Sequence, residues 1–278
     1  MELTGFAFVI GGGSGISRAV CNAFAQCGVR GLLVADIDLE AAIKTATECK
    51  AVATDPSFRV ETVHIDVSVP DLVEHATKRM AETFGRIDYC VNGAGILGHV
   101  SDIATSDLAT FKRVLDINVQ GTFLVLKSVS TVMASQPPQL VDTSLPARGV
   151  TRGAIVNIGS IASHIALPQS GQYVASKHAV LGLTKSAAMD NIKHNVRVNC
   201  VCPSWVDTPM IQALVTKDPQ LGQKMLSTVP MGRFAVPEEI ADVIMFLCSS
   251  KSSWVNGSYI MADGAMTLGP YIPDLGLN

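Results

Sequence analysis

The chain has 278 residues, which is enough for one large domain or two small ones with a full hydrophobic core. Hydrophobic residues make up 48% of the chain and charged residues 16%, a balance that suits a parallel sheet covered by helices on both faces. The formal net charge of −3 gives no basic excess, so nucleic acid is not an expected partner.

The seven cysteines are spread through apolar stretches, with no spacing typical of a zinc site. Cys200 and Cys202 alternate along a predicted strand and are too close together for a zinc knuckle. We therefore predict no metal site. The cysteines are expected to be small buried side chains of a protein in a reducing compartment.

Residues 153–176 carry no charged side chain, which raises the question of a membrane span. Pro168, Gln169 and Gln172 argue against a span, because polar side chains and proline are costly in a bilayer helix. The first predicted strand begins about six residues from Met1, which leaves no room for a signal or transit peptide. The expectation is a cytoplasmic protein that does not contact a membrane.

A glycine-rich turn follows the first apolar run, Phe6 to Ile10, and precedes an amphipathic stretch from Ile16 to Cys27. This order predicts a strand, a turn and a helix. In that context glycines let a pyrophosphate approach the backbone at a helix N-terminus, although the turn alone is a weak signal. The residues predicted to bind a cofactor here are Gly11, Gly13, Ser14, Gly15 and Ile16.

The second predicted strand, Gly31 to Ala35, brings Asp36 to its carboxyl end. A carboxylate in that place can accept hydrogen bonds from both ribose hydroxyls of an adenosine. The alternative is that Asp36 caps the following helix, Leu39 to Lys50. Ile37 stands next, where the 2′-phosphate of NADP would need a basic side chain. The sequence therefore favours NAD.

Two further strand ends carry candidate cofactor residues. Asp66 and Val67 follow a strand predicted at 60–65, and Asp66 either contacts the adenine amino group or caps the helix that begins at Pro70. These two interpretations have equal support. Small residues follow the next strand, 87–91, and indicate close approach of the backbone to a ligand. The candidates there are Asn92, Ala94 and Gly95.

A long helix is predicted from Leu108 to Met133, with the polar Asn118 in an apolar stretch. Asn118 either makes a hydrogen bond to another helix or marks a place where the helix opens around a water molecule. The sequence favours the first explanation.

Tyr173 and Lys177 lie four residues apart in a predicted helix that runs from Gly171 to Lys193. Residues at this spacing project from the same helix face. An ammonium group beside a phenol favours the phenolate, which makes a tyrosine an effective acid or base near neutral pH. Ser160 follows a strand predicted at 154–159, so its hydroxyl is expected at the ligand-binding edge of the sheet. A tyrosine and lysine at this spacing are usually surface residues, and only their surroundings give them weight.

Two irregular segments interrupt the alternation of strands and helices. Residues 135–152 contain three prolines and no periodicity, which predicts a surface loop insertion. Residues 204–234 have a weak helical pattern and many methionines, and we expect a mobile lid over the substrate. The whole chain, 1–278, is predicted to be a single α/β domain: a Rossmann-like, doubly wound parallel sheet of about seven strands with helices on both faces.

Taken together, these motifs resemble the short-chain dehydrogenase/reductase family over nearly the whole chain. The resemblance implies that Tyr173 is the acid/base, that Lys177 tunes it and binds the nicotinamide ribose, and that Ser160 positions the substrate oxygen. It implies that Asn118 holds a water molecule of the proton relay and that Val206 and Thr208 contact the nicotinamide carboxamide, with Pro203 as a further cofactor-binding residue. The family also implies a homo-oligomer, a dimer or tetramer, in which the two long helices pack across an interface.

Three residues depart from the family pattern. Ile10 stands where threonine is usual, Ser17 where the glycine motif has its third glycine, and Gly93 where asparagine is common. Serine is small enough for a helix N-terminus, and all four catalytic positions are filled. We interpret these changes as affecting cofactor affinity or local stability and not as a loss of the reaction.

The predicted activity is NAD-dependent interconversion of a secondary alcohol and a ketone. Two other classes remain as alternatives: a relative that uses bound NAD for isomerisation, elimination or cyclisation, and a nucleotide-binding protein that is not an enzyme. The intact catalytic set argues only against the second.

The substrate is expected to be a bulky, mostly apolar small molecule, such as a secondary metabolite. No arginine or lysine is available near the predicted pocket to pair with a carboxylate or phosphate. Methionines on a lid suit an irregular apolar ligand, or they simply pack the lid against the domain. His164 also has two interpretations: it is a hydrogen-bond partner for a second substrate oxygen, or it is a loop residue that faces water. The candidate substrate contacts are Ser160, Leu97, His164, Gln169, Trp205 and Met210.

Overall fold

The computed structural model describes residues 3–269. Its strands are β1 Phe6–Ile10, β2 Gly31–Asp36, β3 Arg59–His64, β4 Tyr89–Asn92, β5 Gln139–Leu140, β6 Val150–Thr151, β7 Gly153–Ile158, β8 Val196–Pro203 and β9 Tyr259–Ala262. Its α-helices are α1 Gly15–Gln26, α2 Leu39–Val52, α3 Pro70–Phe84, α4 Leu108–Leu115, α5 Gly121–Ser135, α6 Gly171–Asn191, α7 Pro209–Lys217, α8 Pro219–Ser227 and α9 Pro237–Cys248.

Seven of these strands form one parallel sheet in the order β3-β2-β1-β4-β7-β8-β9. The chain winds outward from β1 in one direction, returns to β4 on its other side, and then winds the opposite way. This confirms the predicted doubly wound parallel sheet of about seven strands. The point where the winding direction changes lies between β1 and β4.

Side chains alternate between the two faces along each strand, and both faces are buried along the central strands β1, β2, β4, β7 and β8. From β1, Val9 packs on the side of α1, α2 and α9, and Phe8 packs on the side of α3 and α5. Strands covered on both sides must be apolar throughout, which explains the high hydrophobic content of the chain. Across residues 3–269, no helix combines the length and apolar character that a bilayer crossing requires.

The long helix predicted from 108 to 133 is interrupted. Residues Asp116–Gln120 form a single π turn between α4 and α5. A π turn adds a residue to the helical repeat and frees a backbone carbonyl from the usual ladder. Here the carbonyl of Asn118 accepts a hydrogen bond from Thr122 Oγ1 at 2.7 Å, so the opened turn is satisfied from within the helix.

The surface loop predicted at 135–152 contains regular structure. Ser135 is the last residue of α5, and β5 and β6 pair as a short antiparallel hairpin. Gln136 is buried at its base, where it accepts from Ile87 N at 3.1 Å and donates to Ile87 O at 2.7 Å. The short hairpin within this loop was not predicted, because two-residue strands are too short to produce an alternating pattern.

Candidate active site

A cavity of about 420 Å³ lies at the carboxyl edge of the sheet, beneath α7 and α8. One end reaches the glycine-rich turn, and its wall includes three of the four predicted catalytic side chains, whereas Asn118 is not part of the lining. The residues that line it from these two regions are Gly11, Ser14, Gly15, Ile16, Ser17, Gly93, Gly95, Ser160, Tyr173 and Lys177. A continuous cavity of this kind can hold an elongated cofactor and a substrate end to end.

The glycine turn has the conformation that a phosphate site needs. Gly11 and Gly15 adopt φ values of +75° and +54°, which favour glycine. A side chain at Gly11 would also meet the backbone nitrogen of Ala94 at 2.9 Å, so the two turns approach each other closely. Helix α1 has no side-chain cap and no acidic residue in its first turn, which leaves its first amides free for an anion. The residues present therefore fit a dinucleotide diphosphate.

Asp36 connects the second strand to this turn. Its Oδ2 accepts a hydrogen bond from Gly13 N at 2.8 Å, and its Oδ1 accepts one from Asp38 N at 2.9 Å. The cap of α2 is Asp38, which accepts from Ala41 N at 3.1 Å. The alternative in which Asp36 caps α2 is therefore excluded. The carboxylate of Asp36 stays half-buried beside the turn.

Asp66 does not cap α3 either, since the residue before that helix is Val69. Its Oδ1 accepts hydrogen bonds from Ser68 N at 2.9 Å and Ser68 Oγ at 2.6 Å. The Ser68 hydroxyl holds the pKa of Asp66 below its usual value. Val67 is buried and packs against Gly121, where an added side chain would lie 2.6 Å from Val67 Cγ2. Asp66 and Val67 thus form a tight turn at the strand end.

Asn92, at the end of β4, belongs to a buried polar chain behind the cavity. Its Nδ2 donates to Thr122 Oγ1 at 3.2 Å and lies 3.5 Å from Asn157 Oδ1. Asn157 in turn donates to Thr184 Oγ1 on α6 at 2.9 Å. Strands β4 and β7 are thereby tied to helices α5 and α6. Within residues 3–269, no donor reaches Asn92 Oδ1.

Asn118 lies in the π turn and uses its whole amide. Its Oδ1 accepts from Ile96 N and its Nδ2 donates to Ile96 O, both at 2.9 Å. The same Nδ2 donates to Ser176 Oγ on α6 at 2.9 Å. The helix is therefore opened at this residue, and Asn118 also makes the hydrogen bond to a second helix that the sequence favoured.

Tyr173 and Lys177 project from the same face of α6 toward the cavity. Lys177 Nζ lies 5.6 Å from the centre of the Tyr173 ring and donates to Ile158 O at 2.8 Å. Lys177 is buried, as is Ser160, whose Oγ accepts from Ala162 N at 3.1 Å. The phenol, the ammonium group and the serine hydroxyl thus line one cavity. This arrangement can transfer a proton to or from an oxygen atom and stabilise charge on that oxygen.

The segment above the cavity is tied at both ends. Asp207 N donates to Ala235 O at 2.8 Å, and Ala235 N donates to Trp205 O at 3.0 Å. Between these ends, α7 and α8 form a short helical pair whose apolar side chains Leu214, Leu221 and Met225 line the cavity. Thr208 contacts the glycine turn from this side, since a side chain at Gly15 would lie 3.3 Å from its Cγ2.

Pro203 and Val206 line the same stretch of wall as Thr208. Four of the predicted substrate residues besides Ser160 also line the cavity: Leu97, Gln169, Trp205 and Met210. Leu167 and Pro168 belong to the lining as well, but sequence reasoning did not select them. No sequence pattern marks these two residues. In the structure, the loop before α6 turns back at Gln169, whose φ is 58°. Ser101 N donates to the Gln169 carbonyl at 2.9 Å and holds that turn.

His164 was also predicted to contact the substrate, but the part of the chain that the structure describes places it outside the cavity lining. Its ring lies against Tyr259, with 4.1 Å between the ring centres. The short helical turn 161–163 after Ser160 carries His164 past the cavity toward β9. Burial lowers the pKa of His164, and the nearby charges of His178 and Lys185 lower it further.

Comparison with known proteins agrees with this geometry. A family model described as Enoyl-(Acyl carrier protein) reductase matches residues 11–267. The chain is 53% identical over 269 residues to Short-chain dehydrogenase fogB of Aspergillus ruber, an alignment that covers 96% of this chain and 98% of the relative. The chain belongs to the short-chain dehydrogenase/reductase family. The resemblance stated from the sequence is confirmed.

More distant relatives cover the same length. Cyclohexanol dehydrogenase of an Acinetobacter species is 34% identical over 94% of both chains. The crystal structure of levodione reductase superposes with a TM-score of 0.84 at 29% identity, covering 96% of this chain and 98% of the other. Dehydrogenases of this family use nicotinamide cofactors, and the chain is accordingly an oxidoreductase of this type.

The place of His164 gives a pH-dependent prediction. Because its pKa is lower in the folded protein than in the unfolded chain, the unfolded chain binds the proton more strongly. The stability that this residue contributes is present above about pH 6.5 and is lost as the pH falls toward the folded pKa. His164→Phe keeps an aromatic ring against Tyr259 and should therefore lose less stability between pH 8 and pH 5 than the wild type. Urea unfolding at both pH values measures the difference, and equal losses would contradict the assignment.

Proposed function

We propose that the protein interconverts a secondary alcohol and a ketone on a bulky apolar small molecule, with NAD(H) as the cofactor. One observation carries this proposal: Tyr173, Lys177 and Ser160 line a single cavity that also reaches the N-terminus of α1. The cavity offers a proton-transfer group and an anion site within one continuous space.

The mechanism assigns one task to each side chain. In the oxidative direction, Tyr173 accepts the hydroxyl proton of the alcohol, and Ser160 donates a hydrogen bond to the oxygen as negative charge develops on it. Lys177, whose Nζ lies 5.6 Å from the centre of the Tyr173 ring, would hold the nicotinamide ribose beside the phenol. Asn118 holds the strand-end loop through Ile96 and supports the proton path. A bound nicotinamide cofactor would supply the hydride acceptor for oxidation of the carbinol carbon and the hydride donor for the reverse reaction.

The choice of NAD rests on Asp36. Its carboxylate accepts from the glycine turn at Gly13 N and lies at the end of β2, beside the place proposed for the adenosine ribose. Ile37, the next residue, is 60% exposed and carries no charge that could pair with a 2′-phosphate. The proposed cofactor site is completed by residues at the neighbouring strand ends: Asp66, Val67, Asn92, Ala94 and Gly95.

The substrate class rests on the apolar half of the cavity. Gln169 is the long polar side chain among the proposed contacts. The apolar lining consists of Leu97, Trp205, Met210, Leu214 and Met225. The names of two relatives, cyclohexanol dehydrogenase and levodione reductase, support a cyclic alcohol or ketone. We place the natural substrate among secondary metabolites of this kind.

We further propose that residues 204–234 act as a lid and that the protein is a homo-oligomer. The paired ends of the lid segment at Trp205 and Ala235 support a hinge there. A groove of about 580 Å³ between α5 and α6 supports an interface with a second copy, since Phe123 on its rim is 52% exposed.

A relative that uses bound NAD for isomerisation, elimination or cyclisation would keep the same side chains. Absorbance of the nicotinamide during turnover separates the two activities, because a dehydrogenase changes it in proportion to product. Mass spectrometry of products from a panel of secondary alcohols with NAD then identifies the reaction.

Cofactor choice can be tested by titrating NADH and NADPH. We expect NADH to bind about 100-fold more tightly, because the 2′-phosphate would face the Asp36 carboxylate and lose the ribose hydrogen bonds. Asp36→Ala should remove most of that preference. Asp38→Asn is the matched control, because asparagine caps α2 equally well and the preference should remain. Equal affinities in the wild type would refute the role of Asp36.

The acid/base assignment predicts that Tyr173→Phe lowers the turnover number by about 10²–10⁴ and leaves NADH affinity nearly unchanged, because the phenol proton is needed only in the chemical step. Lys177→Ala should impair both turnover and NADH binding. Tyr89→Phe removes a phenol that donates to Thr4 O, outside the cavity, and should keep full activity. Stopped-flow kinetics and fluorescence titration give the two quantities. Substantial activity of Tyr173→Phe would show that another group transfers the proton.

Because the proposed substrate wall is apolar, kcat/KM should be higher for apolar cyclic alcohols than for short polar ones. Trp205→Ala or Met210→Ala should lower kcat/KM at least about tenfold for the cyclic substrates, because each change removes apolar wall. Trp254→Ala provides the control, since that side chain is 98% exposed. Steady-state kinetics decides the matter, and efficient turnover of a small charged hydroxy acid would exclude this substrate class.

A further inference from the structure

The turn that follows Ser160 contains a second serine, Ser163, whose side chain is only 2% exposed. Its Oγ accepts a hydrogen bond from Ser160 N at 3.3 Å and donates one to Lys177 O at 2.9 Å. Ser160 lies just beyond the carboxyl end of β7, whereas Lys177 lies on α6. One buried hydroxyl therefore joins the two segments that carry the proposed catalytic side chains.

Packing leaves this hydroxyl little room to move. A Cβ atom built on Gly159 would lie 3.0 Å from Ser163 Oγ and 2.8 Å from Cys200 Sγ, so the end of β7 fits closely against the serine and against β8. Ser163 N also donates to Ser160 O at 2.9 Å, which closes the turn. The hydroxyl is thus held by its two hydrogen-bond partners and by the backbone packed against it.

The same turn fixes how the Ser160 hydroxyl is used. Ser160 Oγ accepts from Ala162 N at 3.1 Å, so its own proton remains for a different acceptor. In the proposed reaction that acceptor is the substrate oxygen, which Tyr173 must reach as well. Ser160 can serve this oxygen efficiently only if its backbone keeps its place relative to α6. Ser163 makes the bond that joins them.

A buried serine that bridges backbone groups can also contribute to stability alone. Ser252 is such a case, since it is fully buried and its Oγ donates to Leu247 O at 2.9 Å and to Ser249 O at 3.0 Å. These partners lie at the end of α9, and in the described part of the chain they are not among the residues that line the cavity. Ser163 differs because both of its partners belong to the proposed site.

We infer that Ser163 is a positioning residue for the proposed reaction and that it holds the Ser160 hydroxyl in place relative to Tyr173. The inference rests on the proposed function and deepens it, because Ser163 itself does not line the cavity described for residues 3–269. A displacement of about 1 Å caused by a change away from the reacting groups can slow a reaction about 10²-fold. Loss of the Ser163 hydroxyl should have an effect within that range.

A kinetic double-mutant cycle tests the inference, with NAD and a panel of cyclic alcohols that begins with cyclohexanol. Ser163→Ala should lower kcat about tenfold and Ser160→Ala about 10²-fold, because the donor to the substrate oxygen is displaced in the first variant and absent in the second. In the Ser160→Ala background, Ser163→Ala should lower kcat by less than about twofold, since the hydroxyl that it positions is already gone.

Two further measurements separate positioning from packing. NADH affinity should change by less than about twofold in Ser163→Ala, because Lys177 keeps its bond to Ile158 O. The pH profile of kcat/KM should keep its midpoint, because the proposed titrating group is Tyr173. Ser163→Cys has nearly the same shape but a weaker donor and acceptor, so it should lower kcat as well. This variant takes the place of Ser163→Ala in the cycle if the alanine variant does not fold.

Ser252→Ala is the matched control. It also removes a buried hydroxyl that bonds the backbone, and it should lower the melting temperature of the ligand-free protein by roughly 2–6 °C, as should Ser163→Ala. The kcat of Ser252→Ala should equal that of the wild type. A loss of stability in both variants with a loss of kcat in only one distinguishes the two serines.

An unchanged kcat in Ser163→Ala would overturn the inference. Losses that multiply in the double variant would do the same, since they would show that Ser163 acts independently of Ser160. A displaced pH profile would also overturn it, because Ser163 would then act through Tyr173. If the wild-type protein oxidised none of the cyclic alcohols, the proposed function would fail, and that result is seen without any variant.

Discussion

All seven strands of the main sheet run parallel, and this constraint decides where chemistry can occur. The carboxyl ends of parallel strands meet at one edge, so Asp36, Asn92, Ser160 and Pro203 are brought together although they are far apart in sequence. The winding reverses between β1 and β4, and the helices on either side diverge there. A crevice opens at that point, and the cavity lies along it.

Buried polar links then hold the walls of that crevice in place. Asn118 bonds the loop after β4 and also Ser176 on α6, while Asn157 bonds Thr184 on the same helix. Lys177 reaches the carbonyl of Ile158 at the end of β7. Helix α6 is therefore fastened at two levels, at Ser176 and Lys177 and about two turns later at Thr184. A rigid α6 matters because a phenol can transfer a proton efficiently only if its position relative to the substrate oxygen is fixed.

The sequence was informative where a local pattern has one structural meaning. Apolar runs that end in glycine or aspartate predicted the strands and their functional edge, and the spacing of Tyr173 and Lys177 predicted a shared helix face. An opening of the helix at Asn118 was considered from the sequence but not favoured, because the bond of Asn118 to the backbone of Ile96 is a tertiary contact. The packing of His164 on Tyr259 was not foreseen either, because it depends on the short helical turn after Ser160 that redirects the chain. The bond from Ser163 to the Lys177 carbonyl is likewise tertiary and leaves no periodic signal.

The rigid residues of the site and the adaptable ones lie in different segments of the chain. The glycine turn, Asp36 and the catalytic side chains lie at the ends of buried strands or on the fastened α6, where packing leaves little freedom. The apolar wall instead comes from α7 and α8, two helices of nine residues each that are joined to the sheet mainly through the paired residues at 205–207 and 235. Leucine and methionine side chains on such short helices can repack around ligands of different shape without moving Tyr173. The proposed acid/base and the proposed substrate wall thus lie on separate segments of the chain.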